Sequence, residues 1–506
     1  MQAIQKTGLY WLGNDLRRHD NECFVKASES VEHLLVVYCI EPQWLTAGRY
    51  QQIRMGQHRR KFLAQSLKQL KHQLESEGQQ LLIFAGDPLT VLPKLIAQYN
   101  VQQVFRSLHP AFDEQQQWLS LRDSLEQSPP QQTLTWHELD NLSLINQHDI
   151  MRACDIDVFN KPIAIDALHS PSEHQANDFI PSFSKFRRII ETAIKKQHLI
   201  IDPPLTFSRA LPKPAALSPT NYTQLAEHWV SNIDSALELD NTDNASDIAS
   251  NTLINDDAFL GGERAAQEHL KNYFSDLRAH QYKSVRNSLG GWENSTKFSA
   301  WLANGSLSAR QVIAALVEFE EEHERSDSSY WIFFELLWRE YFFWYALFYQ
   351  KDLFRFSGIQ QRRPLCSFYP DRFKCWTDAS TPYPLVNACM TQLNQTGYMS
   401  NRGRQIVASC FVNELELDWR YGAAYFETQL IDYDVGANWG NWQYLAGVGA
   451  DPRSNDNGGR HFDLVKQQHR FDPKGEFIRQ WLGSDASLHH SSLAIDHVDF
   501  NGWPVM

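Results

Sequence analysis

Five short apolar runs in the first 140 residues, at 8–12, 34–40, 81–84, 101–105 and 133–136, constrain this chain more than any other feature. Runs of this length between helical segments read as buried parallel strands. The clearest intervening helix carries Leu63, Leu67, Leu70 and Leu74 on one face. Such alternation builds a parallel sheet with helices on both faces. Its turns hold neither a Gly-x-Gly-x-x-Gly fingerprint nor a Walker loop. The expected unit, residues 1–140, is therefore an α/β domain of nucleotide-binding type without a dinucleotide or ATP site of its own.

Beyond residue 140 the pattern changes. Residues 141–258 read as a connector: seven prolines fall between 162 and 214, and an Asn/Asp/Ser-rich stretch at 240–257 has loop composition. From 259 to about 483 the strand pattern gives way to amphipathic helices, and 484–506 is a polar tail. The formal charge is −13, yet residues 214–263 hold nine acidic side chains and no Lys or Arg. Elsewhere basic residues cluster, five against one acid in 278–310 and six against two in 351–375. These patches would suit either a nucleic-acid backbone or a merely solvated surface, while the overall charge excludes a generally basic coat.

Seven scattered cysteines, with no Cys-x-x-Cys pair, point to a reduced, cytoplasmic setting rather than a disulfide scaffold. The N-terminus has no apolar signal segment. The greasiest stretch, 341–349, is nine residues long, far short of the ~20 a membrane helix needs.

Four segments of the helical half place polar groups on aromatic faces. Ser295-Thr-Lys-Phe-Ser299 offers hydroxyls at a helix start, which suits either a phosphate or a plain N-cap. Residues 331–349 are aromatic at eleven of nineteen positions, so that helix must be buried. Glu335, Trp338 and Arg339 share one of its faces. They read either as a Glu335–Arg339 ion pair or as a pocket in which an aromatic stacks a base and a carboxyl bonds its edge. Asn401, Arg404 and Gln405 share another helical face, polar either for solvent or for a site. Asp434, Asn438 and Trp442 would line up on a helix, either with an irregular start, for which Gly436 and Gly440 argue, or as a capped helix whose Trp side chains only pack. Asp432 and Asp434 lack His or Cys at metal-ligand spacing, so no metal is expected.

Taken in order, Tyr282-Lys-x-x-Arg286-Asn287, Ser-Thr-Lys-Phe-Ser, Glu-Leu-Leu-Trp-Arg-Glu, Tyr398-Met-Ser-Asn-Arg-Gly-Arg-Gln405 and Asp432-Tyr-Asp-Val-Gly-x-Asn-Trp-Gly-Asn-Trp-Gln-Tyr444 resemble the photolyase/cryptochrome family. The wording is closest to its DASH-type cryptochromes, and the match covers most of the chain. The resemblance implies a Rossmann-like α/β domain followed by a large all-α FAD-binding domain. Tyr282, Ser295, Thr296, Lys297, Phe298 and Ser299 would hold the cofactor's phosphates and ribityl chain. Arg404 and Asp432 would pair beside the flavin ring, Asp434 would hydrogen-bond the cofactor, and Asn438 would face flavin N5.

The resemblance further implies light-driven repair of cyclobutane pyrimidine dimers in single-stranded DNA. Glu335, Trp338, Asn401, Gln405 and Tyr444 would line the pocket for a flipped-out dimer, with Arg339 and Arg402 on the DNA. Conventional dimer photolyases tend to have Trp and Met where this chain has Tyr444 and Gln405, which implies a weaker grip on the lesion. The alternative within the same family is a blue-light photoreceptor with little repair. Electrons would reach the flavin through Trp442 and Trp419. The third relay position falls near Cys366, Phe368 and Tyr369, none of them Trp, so Trp376 or Tyr369 would substitute. DASH-type proteins tend to bind a folate antenna (methenyltetrahydrofolate) through a Glu where His109 stands, leaving Asp113 or Glu114 for that role. A monomer with no membrane contact completes the reading.

Overall fold

The computed structural model describes residues 6–127, 134–154, 179–207, 209–215, 227–239, 259–450 and 460–489. The acidic stretch 240–257 and all but the first residues of the 484–506 tail lie outside them. The expected strands form: β1 (Thr7–Trp11), β2 (His33–Ile40), β3 (Leu81–Ala85), β4 (Gln103–Ser107) and β5 (Thr135–Leu139). They make a wholly parallel sheet in the order β3-β2-β1-β4-β5. β4 starts two residues later than its apolar run, because Val101 N–H donates to Ile96 O and closes the preceding helix instead. A short sixth strand, β6 (Lys213–Pro214), pairs with the start of β2 and escaped the sequence reading. Separate apolar layers cover the two faces.

Strand order reverses between β1 and β4, which opens a crevice at the carboxyl ends of the strands. Here that crevice receives the helical half. Leu16 N–H donates to Asn304 O (3.2 Å), Asn14 Nδ2 to Ala303 O (3.0 Å) and Arg17 Nη1 to Gly305 O (3.1 Å). The approach is so close that a Cβ on Gly305, at φ 73°, would lie 1.8 Å from Asn14 O. Only glycine fits.

From residue 259 the described chain is helical, joined by loops. Its centre is the Asp327–Tyr349 helix, capped by Ser326 and buried without interruption from Glu340 to Tyr349. The Val435–Leu445 helix packs across it. Of the two starts the sequence leaves open, the capped helix forms: Asp434 caps it by accepting from Ala437 N–H at 2.9 Å. The two glycines serve packing instead. A Cβ on Gly436 would come within 2.5 Å of Phe342 O, and one on Gly440 within 2.5 Å of the Phe342 ring.

The connector also differs from expectation. It does not merely wrap the surface, since Phe179, Ile180, Phe183, Phe186 and Ile190 are buried in the helical core. The Phe183–Lys195 helix is strongly amphipathic and uses its apolar face to pack on Asp327–Tyr349.

Candidate functional site

A cavity of about 580 Å³ opens in the helical half. All ten expected cofactor positions and all five expected lesion-pocket positions line it, together with Trp442 and Arg339. Trp376, Trp419 and Arg402 stand outside its lining.

One wall has the features of an anion cradle. Lys297 is buried with a left-handed backbone (φ 57°), which turns its ammonium back on its own loop. Nζ donates to Ser295 Oγ (2.7 Å) and Gly291 O (3.2 Å) and lies 5.0 Å from the Tyr398 ring centre. Among the described residues it forms no ion pair with a carboxylate. A buried ammonium held only by neutral oxygens fits a phosphate-bearing ligand. Deeper in, Arg404 Nη2 donates to both oxygens of the buried Asp432 (3.0 and 2.8 Å), and its Nε donates to Met399 O. This pairing takes up Asp432, as capping takes up Asp434. Among the described residues no group of three or more His, Cys, Asp or Glu is placed to hold a metal. Asn438 Nδ2 donates to Ala423 O (3.0 Å), which fixes that side chain on the cavity wall.

The wall that carries Glu335 and Trp338 pairs its charges differently from the sequence expectation. Glu335 does not bond Arg339. Its partner is the Arg286 guanidinium, which also lies 4.1 Å over the Trp331 ring. Burial pushes the Glu335 carboxyl above the ordinary range, and Arg286 counters it. Arg339, expected on DNA, instead donates to Leu142 O (2.7 Å) and Leu302 O (3.4 Å). These bonds fasten the connector to the helical half, and among the described residues Arg339 forms no ion pair with a carboxylate.

Trp338 is also less free than expected. Phe183 of the connector stacks on it at 3.7 Å and 12°. Phe342 lies 5.6 Å away, tilted by 24°. Trp338 still lines the cavity beside both rings. The sequence reading missed Phe183, whose one visible signal was the amphipathic spacing of the helix it begins.

Four arginines gather here. Burial, then Arg470, Arg286 and Arg460, hold the Arg402 guanidinium below its ordinary range. Arg402 Nη2 donates to Asn287 Oδ1 (3.0 Å), and Arg460 lies 4.7 Å over the Tyr444 ring, with both Tyr444 and Arg460 on the cavity wall. Arg460 lay in a stretch with no periodic pattern and was invisible in the sequence.

The expected relay residues Trp442, Trp419 and Trp376 are all buried in the helical half, and Tyr369, the other expected substitute, is exposed. Trp442 lies 6.2 Å from Trp376, whereas Trp419 pairs with Trp439 at 5.8 Å.

A second cavity of about 370 Å³ lies between the sheet domain and the helical half. His109, Asp113 and Glu114 line it, as do Arg59, Glu427, Tyr433 and Trp439. Burial lowers the His109 imidazole, so this position offers a neutral ring. Asp113 is paired with Arg54 (2.7 Å). Glu427, half-buried, supplies a further carboxyl on this wall, pushed up by desolvation and countered by Arg59 and Arg54.

Comparisons with known proteins agree on the relationship. Residues 8–159 match the family model "DNA photolyase", and residues 331–497 match "FAD binding domain of DNA photolyase". Cryptochrome DASH of Idiomarina loihiensis is 44% identical over 100% of this chain and 98% of its own length. Cryptochrome DASH of Vibrio parahaemolyticus is 42% identical over 99% and 98%. Among solved structures, the Synechocystis cryptochrome superposes with a TM-score of 0.78 at 32% identity, covering 95% of this chain and 89% of that one. A class III photolyase from Agrobacterium tumefaciens, at 23% identity and a TM-score of 0.72, shares the fold.

Proposed function

Since the chain belongs to the DASH cryptochromes of the DNA photolyase family, we propose that it repairs cyclobutane pyrimidine dimers in single-stranded DNA, driven by blue light. The observation that carries this reading is the convergence of the cradle wall and the Glu335–Trp338 wall on one cavity.

FAD fits the first wall. Lys297 and the Ser295–Thr296 backbone and hydroxyls would hold its diphosphate, and the Arg404–Asp432 pair would orient the ring. Bound FAD, once reduced and excited, supplies the electron that splits the cyclobutane ring and takes it back.

The remaining work falls to the chain. A dimer must leave its stack to enter the cavity, and that is cheapest when the strand is already single. Arg286, Arg402, Arg460 and Arg470 would hold the flanking phosphates. Inside, the Trp338 and Tyr444 rings bound the pyrimidines. Glu335 would hydrogen-bond their polar edge. Burial pushes that carboxyl above its ordinary range against the pull of Arg286, which eases proton sharing with a carbonyl gaining negative charge. Asn401 and Gln405 would supply further neutral partners. A folate antenna in the second cavity belongs to the same proposal, with Glu427 joining Asp113 and Glu114 as the carboxylates available to it.

The test uses the purified protein, illuminated with dimer-containing single-stranded and duplex oligonucleotides. Light-dependent loss of dimers, faster in the single strand and sharply reduced by Glu335→Ala with flavin retained, is expected. Bound, photoreducible flavin without loss of dimers would overturn the proposal in favour of a photoreceptor.

A further inference from the structure

Gln392 lines the cofactor cavity, and neither the sequence motifs nor the ion pairs around it account for its presence there. It lies one turn before the end of the Pro384–Thr396 helix. Its neighbours on that face, Ala388, Cys389 and Leu393, are wholly buried. An amide set among such residues is costly unless it is hydrogen-bonded. Gln392 is 1% exposed, and its Oε1 is buried with no hydrogen-bond partner among the described residues. Of the described residues that line this cavity, no other carries a buried side-chain polar atom left without a partner.

The backbone beneath this side chain is well tied. Thr396 Oγ1 donates to Gln392 O (2.7 Å) and accepts from Tyr398 N–H (3.1 Å). The Tyr398 ring centre lies 5.0 Å from Lys297 Nζ. The turn that bears Gln392 is thus fastened to a residue that flanks the cradle, while Oε1 stays unused.

An amide oxygen accepts, so it needs a donor. The diphosphate of FAD offers only acceptors at neutral pH, and Lys297 suits that part. The remaining donors of FAD are neutral: hydroxyls of the ribityl chain and ribose, and N–H groups of the two ring systems. We propose that Gln392 is a further cofactor-binding residue whose Oε1 accepts from a neutral O–H or N–H of bound FAD. This inference rests on the FAD reading above and names a binding group for it. Without the cofactor the lone buried oxygen weakens the fold, and with it the same oxygen makes a bond. The residue therefore acts with opposite signs on the flavin-free and flavin-loaded chain.

The experiment compares the wild type with Gln392→Met, which keeps the length of the side chain without the acceptor, and with Gln392→Leu. Release of FAD from the full chain is followed by flavin fluorescence, and urea midpoints are taken with flavin removed and with FAD in excess. Release about tenfold faster in Gln392→Met is expected, the effect of leaving one donor unpaired. The flavin-free midpoint should rise, and the increase produced by added FAD should shrink. A glutamine that only supports the fold would instead lower the flavin-free midpoint when replaced. Unchanged release, or a flavin-free midpoint lowered or lost in both variants, overturns the proposal. A wild-type protein that binds no FAD overturns the parent reading, and its absorption spectrum tells the two failures apart.

Discussion

Glu340 gives the sharpest test of how the two halves are joined. Its carboxyl is fully buried on the Asp327–Tyr349 helix. It accepts from Leu144 N–H (2.7 Å), Ile145 N–H (3.1 Å) and Trp344 Nε1 (2.7 Å). Leu144 and Ile145 lie just beyond β5, so this side chain ties the connector to the helical core. Burial nonetheless dominates and raises the carboxyl from 4.5 to about 7. A carboxyl raised in the folded state favours folding fully while it is protonated in both states. That contribution falls as pH rises from 4.5 and is gone above about 7. At ~1.36 kcal/mol per pH unit, the span amounts to about 3 kcal/mol. Glu340→Gln keeps the shape but cannot titrate. The stability of the wild type minus that of the variant, from urea unfolding between about pH 5 and about pH 8, should therefore fall by about 2–3 kcal/mol. Taking the difference removes other raised carboxyls, such as Glu41, pushed up to about 7 by burial. A difference independent of pH would refute the reasoning. A slope of opposite sign would mean that the three N–H donors outweigh desolvation.

Lys297→Met should weaken FAD binding by about 1.5–3 kcal/mol, the range for a hydrogen bond to a charged group. Equilibrium dialysis of flavin measures it, and an unchanged Kd would remove Lys297 from the cradle. Phe183→Leu should loosen Trp338 and weaken binding of dimer-containing oligonucleotides while flavin content holds. Unaltered affinity in a fluorescence titration would reduce Phe183 to core packing.

The sheet was legible because parallel strands announce themselves as short apolar runs, and β6 was missed because Lys213–Pro214 carries no such signal. Site residues were legible where their spacing is local, as with Asn401, Arg404 and Gln405 on one helix. Pairings across the chain were not. Arg286 and Glu335 are 49 residues apart, so the nearer Arg339 looked like the partner. Gly436 and Gly440 misled for a related reason. In a sequence a glycine reports only lost helix propensity, whereas here each makes room for Phe342, a residue of another helix.

The crevice of the sheet domain is bounded by a segment of the helical half that also reaches the cradle. The same short segment begins with Ser295 and Lys297 of the cradle and ends with Asn304 and Gly305 on the strand ends of the sheet. Asn304 is held from both sides, its carbonyl accepting from Leu16 N–H and its Nδ2 donating to Ser66 Oγ at 2.8 Å. Arg17 Nη1 donates to Gly305 O while its Nη2 donates to Asn141 O at 2.7 Å, so the end of β5 and the end of the cradle segment share one guanidinium. Displacing Gly305 therefore moves the far end of the segment that bears Lys297. The α/β half thus holds one end of the segment whose other end carries Lys297.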